Sequence, residues 1–228
     1  MSLVKSSIGK KLWMALTGLF LCVFLIGHLA GNLQLFIPGE LGRLQFNEYA
    51  KFMTSNPLIR VMSIITFASV ILHVVDAAIL TKANKSARPV KYSKTNPGAN
   101  SIWSSRNMGI LGTLILAFLV LHLSNFWYET HFGDLKMDVN GNKDLYAAVA
   151  FSFSQLWYVV IYVLAMIPIG FHLVHGFQSG FQTLGLNHPK YTPIIKKVGF
   201  AFAVLIPLAF AIIPVNMFLG NPIGQLLF

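Results

Sequence analysis

Five stretches of this sequence are apolar over about 20 residues or more, the length that a helix needs to cross the hydrocarbon core of a membrane. They cover residues 12–36, 58–82, 107–128, 152–184 and 197–219. Only 11% of the 228 residues are charged and 55% are hydrophobic, whereas a soluble domain has about a quarter of its residues charged. We therefore predict an all-α membrane protein in which residues 1–228 form a single transmembrane domain of five helices.

Two of these stretches have features that bear on their limits. Lys5, Lys10 and Lys11 precede the first stretch, as in a signal peptide, but the apolar run continues to Phe36 without a small-residue cleavage site. We therefore predict a retained first helix. The fourth stretch is longer than one crossing needs and contains Pro168, which predicts a tilted or projecting helix with a kink.

The charged residues divide between the two sides of the predicted membrane domain. Of the 17 basic residues, twelve lie before the first stretch, around the connection between the second and third, or before the fifth: Lys5, Lys10, Lys11, Lys82, Lys85, Arg88, Lys91, Lys94, Arg106, Lys190, Lys196 and Lys197. The positive-inside rule makes that side cytoplasmic, so we predict a cytoplasmic N-terminus and a C-terminus on the outer side. Topology thus explains the net charge of +10, and we predict no nucleic-acid partner.

The single cysteine limits the kinds of metal chemistry open to the chain. Cys22 alone cannot build a disulfide framework, a zinc or iron–sulfur cluster, or a covalent haem attachment. Metal chemistry in this chain must therefore rest mainly on histidine.

Four of the five stretches carry a histidine at membrane depth, namely His28, His73, His122 and His172. With the predicted orientation, His28 and His122 lie toward the outer side and His73 and His172 toward the cytoplasmic side, at levels roughly 15 Å apart. Histidines on two facing helices can ligate both axial positions of a haem iron. We therefore predict a four-helix bundle that holds two stacked b haems, with a fifth helix beside it.

Two alternatives to this ligand set remain open. Each histidine can instead be a structural residue that bonds between helices. His175, one turn after His172, can bond a haem propionate or a loop, or can itself be the ligand. We assign no role to His131 and His188, which lie in predicted loops.

Three segments carry a resemblance to a known family. TGLFLCVFLIGHLAGNLQLF at 17–36, HVVDA at 73–77 and FHLVHGFQSGFQTLG at 171–185 resemble the cytochrome b membrane subunit of succinate dehydrogenases and fumarate reductases, the succinate:quinone oxidoreductases of respiratory complex II. The nearest likeness is to the single-chain, five-helix, dihaem b558-type family. There the axial ligands match His28 and His122 for the outer haem and His73 and His172 for the inner one.

The resemblance implies a role in electron transport in the bacterial inner membrane. The family's membrane subunit is surrounded by lipid and passes electrons between an iron–sulfur subunit and a membrane quinone, menaquinone by analogy with the two-haem branch. Covalent FAD and the iron–sulfur clusters belong to a flavoprotein subunit and an iron–sulfur subunit, which dock on the cytoplasmic face. The chain would therefore be the quinone-reactive part of an enzyme that does not itself contact the dicarboxylate.

Several polar residues are candidates for quinone or propionate contacts. By analogy with the family, Glu48 in QFNEYAKF is the candidate for quinone protonation, the alternative being an exposed loop acid. Arg106 and Ser179 are candidates for inner-haem propionates, and Asp76 lies three residues past His73. Further candidates at the outer level, which also fit an interfacial belt, are Asn32, Gln34, Trp127 and Tyr128.

Two other functions remain to be weighed against this one. The chain can be the cytochrome b of another membrane oxidoreductase, such as a hydrogenase or formate dehydrogenase. It can also be a proton-coupled transporter with a histidine relay, although that function predicts more carboxylates at mid-membrane and gives no reason for two levels of histidine.

Overall fold

The computed structural model describes residues 6–87 and 101–227, and in these ranges the chain is helical apart from its connections. β-Type pairing in the described ranges is a single bridge between Met137 and Lys143. The helices are α1 (Ser7–Asn32), α2 (Gly39–Ser55), α3 (Pro57–Ser86), α4 (Trp103–Arg106), α5 (Met108–His122), α6 (Glu129–Phe132), α7 (Leu145–Phe153), α8 (Leu156–Thr183), α9 (Thr192–Phe218) and α10 (Pro222–Leu227). A 3₁₀ turn (Leu33–Phe36) extends α1, and a π-helical turn (Leu123–Tyr128) joins α5 to α6.

Five of these segments are long and apolar enough to cross a membrane, as predicted. They are Ser7–Phe36, Pro57–Ser86, Met108–Phe132, Leu156–Thr183 and Thr192–Phe218. Their outward side chains are largely apolar, and Ile64 and Leu205, for example, are 69% and 61% exposed. The chain therefore has the structure of a multi-pass membrane protein. Four of the basic residues used to predict its orientation lie outside the described residues: Lys5, Arg88, Lys91 and Lys94.

The fourth membrane helix begins at Leu156, four residues after the approximate start taken from the sequence. α7 ends at Phe153 and α8 begins at Leu156, because Gln155 is extended and interrupts the helix. The hydroxyls of Ser152 and Ser154 donate to backbone carbonyls of the preceding turn, and such local bonds compete with continued helix. α8 still has 28 residues and continues through Pro168.

Four membrane helices form a ring. α1 packs on α3 and α8, while α5 packs on α8 and more briefly on α3, so α1 faces α5 across one diagonal and α3 faces α8 across the other. α9 packs along α8 and touches α1 from outside the ring. Glycines permit these close contacts, because a Cβ on Gly180 would lie 3.0 Å from Leu19, and one on Gly170 would lie 3.2 Å from the Ala203 carbonyl oxygen.

α2 was not predicted as a helix, and a buried polar cluster holds it in place. Asn47 is 1% exposed. Its amide nitrogen donates to Asp138 at 3.1 Å and to Asp144 at 2.9 Å, and its oxygen accepts from the Tyr146 amide at 2.9 Å. Arg43 adds hydrogen bonds to Asp144, one of them 2.9 Å long from Nε. We call these five residues the α2 clamp.

The C-terminal segment lies at the same end of the bundle as the α2 clamp. The Asn221 amide donates to the carbonyl oxygens of Leu35 and Phe36, at 3.4 and 3.3 Å. We call this end of the helix bundle the α2 end. Because five membrane helices separate them, Ser6 and Leu227 lie at opposite ends of the bundle.

We predict that Asn47→Ala destabilises the fold. The substitution removes the hydrogen bond to Asp138 Oδ2 and the acceptor of the Tyr146 amide, whereas Asp144 Oδ1 keeps the Ala147 amide. Each group left unsatisfied costs about 1–3 kcal/mol. Thermal unfolding in detergent measures the effect. Lys51→Ala, at an exposed position on the same helix, is the control and should change stability by less than about 0.5 kcal/mol. Equal stability of the two variants would contradict the role given to the clamp.

The clamp also predicts a loss of stability in acid. Burial raises the pKa of Asp144, but hydrogen bonds from Arg43, Asn47 and the Ala147 amide outweigh it and hold the pKa below its ordinary value. A lowered pKa contributes stability above the ordinary carboxyl pKa of about 4, and this contribution is lost as the pH falls through the folded-state value.

We therefore expect the unfolding temperature to fall as the pH is lowered from about 6 to about 3. Asp144→Asn should lower stability at neutral pH and reduce this acid-induced fall. The exposed Asp134, substituted as Asp134→Asn, is the control and should leave the fall unchanged. An undiminished fall in Asp144→Asn would rule out this origin of the acid sensitivity.

Candidate functional site

The structure brings His28 and His122 together across the diagonal between α1 and α5. Their ring centroids are 5.7 Å apart and their planes are nearly perpendicular, at 89°. Aromatic rings surround both imidazoles: Phe24 stacks on His28, and Phe210, Phe118 and Phe126 lie within 6 Å of one or the other ring. We call this the upper pair, and four phenylalanines line it.

His73 and His172 meet across the other diagonal, between α3 and α8. Their ring centroids are 6.2 Å apart, with 63° between the planes. The ring that faces His73 is that of His172, one turn before His175, which is half-buried. Nδ1 of His172 is buried and has no hydrogen-bond partner among the residues that the structure describes. We call this the lower pair.

The two pairs lie at different depths, and the distance between them along the bundle is about the same whether it is measured on α1 or on α8. On α1, Thr17 contacts His73 of the lower pair and lies 11 residues before His28 of the upper pair, a rise of about 16 Å. On α8, Tyr162 contacts His122 of the upper pair and lies ten residues before His172, a rise of about 15 Å. This agrees with the spacing predicted from the sequence.

A hydroxyl holds one imidazole of the lower pair. Thr17 Oγ1 lies 3.2 Å from Nδ1 of His73 and also 2.8 Å from the Trp13 carbonyl oxygen. Since the carbonyl can only accept, it takes the hydroxyl proton, and the Thr17 oxygen accepts from the Nδ1–H of His73. Nε2 of His73 then carries the free lone pair that a metal needs. Gly18 allows this approach, because a Cβ there would lie 3.2 Å from His73 Cε1.

A hydroxyl also holds one imidazole of the upper pair. The Tyr162 hydroxyl lies 3.2 Å from Nδ1 of His122, and Tyr162 is 6% exposed. Its ring stacks on Tyr158 at 5.0 Å, and the Asn125 amide donates to the Tyr158 hydroxyl. Asn125 lies in the π-helical turn that directly follows His122, and π turns of this kind are frequent at functional sites.

The two pairs fit the axial ligation of a haem iron. Two imidazoles that held one metal ion between them would have ring centroids roughly 6 Å apart, because metal–nitrogen bonds are about 2 Å long, and both pairs have this spacing. Two side chains would suffice for a haem, because its macrocycle would supply the other ligands. Accordingly, the described residues include no group of three or more side chains suited to hold a metal ion on their own.

The glycines near His28 on α1 and near His172 on α8 divide into two sets. Gly31 and Gly180 are used for packing within the protein, against Tyr49 and Leu19 respectively. A Cβ added to Gly27 would meet no heavy atom within 4 Å, and one added to Gly176 would come nearest to the His172 ring, at 3.9 Å. Gly27 is exposed and Gly176 is half-buried, so neither glycine is closed off by a side chain of a neighbouring helix.

Among the remaining candidates, Asp76 lies near His73. Glu48 is exposed on α2, which corrects its placement in a loop. Arg106 ends α4, is exposed, and donates to the backbone oxygen and hydroxyl of Ser101. Ser179 and Asp76 are half-buried on α8 and α3.

The candidates at the outer level lie toward the α2 end. The Asn32 amide donates to the His28 carbonyl at 2.8 Å, and Trp127 packs between Phe67 and His131. Gln34 is half-buried, and Tyr128 is 53% exposed.

Thr17 and Tyr162 were not predicted as site residues, although the sequence carries a signal for both. Thr17 lies on α1 at the depth of His73, and Tyr162 lies on α8 at the depth of His122. The depth estimate that paired the histidines therefore also places a hydroxyl beside each of these two rings.

Comparisons with known proteins identify no relative of this chain. A scan against models of protein families, a search of curated proteins and a search of solved structures find no match to the chain. The site is therefore interpreted from its own residues.

Proposed function

We propose that this chain is the membrane-anchor dihaem cytochrome b subunit of a succinate:quinone oxidoreductase. It would transfer electrons between an iron–sulfur subunit and a membrane quinone. The observation that carries the proposal is the meeting of four membrane-depth histidines as two pairs, one on each diagonal of the ring. Histidines with a purely structural role would not need to form pairs at two depths. They would also not need a ring-to-ring distance that fits a metal ion shared by both rings.

The residues around each pair have definable roles in this proposal. His28 and His122 would hold an outer haem b, and His73 and His172 an inner one. When bound, a haem supplies reversible one-electron chemistry. The phenylalanines around the upper pair exclude water, and the hydroxyls of Thr17 and Tyr162 orient one imidazole at each level.

The distribution of charge supports the proposed orientation and partners. Within the described residues, the end opposite the α2 end carries eight basic side chains: Lys10, Lys11, Lys82, Lys85, Arg106, Lys190, Lys196 and Lys197. We assign this end to the cytoplasm of a bacterium. A flavoprotein with FAD and a subunit with iron–sulfur clusters would dock there.

The α2 end would then be the quinone-reactive side, with menaquinone as the proposed substrate. Glu48 lies at this end on a helix held by the α2 clamp, and its exposed carboxyl is suited to exchange protons with water. Asn32, next to the upper pair through the His28 carbonyl, is the candidate contact nearest to the imidazoles.

We predict about two haems b per chain, with a reduced-minus-oxidised spectrum typical of a b-type cytochrome. His28→Ala and His122→Ala should each remove the outer haem, and His73→Ala and His172→Ala the inner one, because an iron held from both sides loses half of its protein ligands. Pigment per polypeptide, measured by pyridine haemochrome and amino-acid analysis, should fall from two to one.

His131→Ala is the control, since that histidine stacks on Trp127 away from both pairs, and it should retain both pigments. His175→Ala should also retain both. A colourless wild-type chain would reject the proposal in favour of a transporter, and a His73→Ala variant with two unchanged haems would reject the pairing.

Co-purification distinguishes this proposal from other cytochromes. We expect a tagged chain in mild detergent to bring down a flavin-containing partner that oxidises succinate or reduces fumarate. Variants of the upper-pair histidines should leave succinate oxidation by an artificial acceptor intact while abolishing quinone reduction. Recovery of a nickel or molybdenum enzyme instead would identify the cytochrome of a hydrogenase or formate dehydrogenase.

A further inference from the structure

We infer that Thr17 and Tyr162 are positioning residues that fix one axial imidazole at each level and set the two haem potentials separately. This inference rests on the proposed function. Each hydroxyl lies on a helix whose own histidine serves the other level: α1 carries Thr17 and His28, and α8 carries Tyr162 and His172. Two helices thus supply a ligand at one level and a hydroxyl anchor at the other.

The Thr17 anchor is fixed by its own backbone. Thr17 is 6% exposed, and its hydroxyl lies 2.8 and 3.2 Å from the carbonyl oxygens of Trp13 and Met14, one turn back on α1. The hydroxyl oxygen is therefore held in one place, where its lone pair meets Nδ1–H of His73. A rotating serine or threonine at the surface would not constrain the ring in this way.

The Tyr162 anchor is fixed by packing. Tyr162 lies in the buried core with Phe153 and Tyr158, whose rings are 5.1 and 5.0 Å from its own. When Nε2 of His122 ligates iron, its Nδ1 must carry the proton, so the phenol oxygen accepts. The bond at 3.2 Å then sets the plane of the His122 ring.

The opposite ring of the lower pair has no such anchor. Nδ1 of His172 is buried without a hydrogen-bond partner in the described part of the chain. His73 has two partners on α1, the Thr17 hydroxyl and the backbone of Met14, and the Thr17 hydroxyl is the side chain among them. An acceptor on Nδ1–H makes an imidazole a stronger electron donor through Nε2, which favours oxidised iron and lowers the midpoint potential.

Thr17→Val keeps the shape of the side chain and removes the hydroxyl, and Tyr162→Phe does the same for the phenol. We expect Thr17→Val to raise the midpoint potential of the inner haem alone and Tyr162→Phe that of the outer haem alone. Redox titration of the purified full chain measures the potentials, and the low-temperature EPR signals of the oxidised haems report the ring planes. Each variant should move one of the two EPR signals.

Thr17→Ser retains the hydroxyl and should keep the wild-type inner potential. Thr66→Val removes a hydroxyl that bonds back to the Met62 carbonyl on an exposed face of α3, and it should move neither haem. If Thr17→Val loses the inner haem while Thr17→Ser keeps both, the assignment is equally supported, because the hydroxyl is then required to hold the ligand.

Two results would overturn the inference while leaving the proposed function intact. One is a pair of variants that keep both haems with unchanged potentials and EPR signals. The other is an equal shift of both haems in either variant, which would indicate a general change of structure. Absence of haem from the wild-type chain would instead overturn the proposed function itself.

Discussion

An imidazole inside a membrane helix must find its partner within the protein, because lipid offers no hydrogen bond. Four membrane helices of this chain each turn a histidine toward the axis of the ring, where a second histidine faces it. Hydroxyls meet the constraint for His73 and His122, whereas a buried nitrogen of His172 has no partner in the described residues. α3 is held mainly by α1, and α5 mainly by α8. From these positions His73 and His122 reach across the ring.

Glycines show where the bundle is closed and where it is open. Gly170 and Gly180 bring α8 close to α9 and α1, with Ala203 and Leu19 filling the space that a side chain would occupy. Gly27, next to His28 on α1, is exposed, so the open space beside it lies at the outer surface of the bundle. The closed positions are therefore the ones that fix the contacts of α8 with its neighbours.

The membrane helices and the histidine pairing were predictable because both depend on quantities that run along the chain. Hydropathy gives the spans, and residue number within a span gives depth. The α2 clamp was not predictable, since it joins Arg43 and Asn47 to Asp144, about 100 residues away, through bonds that leave no periodic signal. The break at Ser154 was missed for a related reason: its cause is local hydrogen bonding by hydroxyls, which a hydropathy profile does not register.

The two imidazole pairs differ in a way that bears on the direction of electron flow in the proposed function. The upper pair lies among phenylalanines, near the end that the α2 clamp makes rigid, and the clamp pairs its buried carboxylates with Arg43 and Asn47. Each pair has one hydroxyl, but the lower pair also has a buried imidazole nitrogen without a partner in the described residues, and it lies toward the basic end. Iron centres in such unlike surroundings would not share one potential, because apolar burial and hydrogen bonding both shift it. Two histidine pairs with identical surroundings would give electron flow no preferred direction. In this fold the surroundings of the two pairs differ.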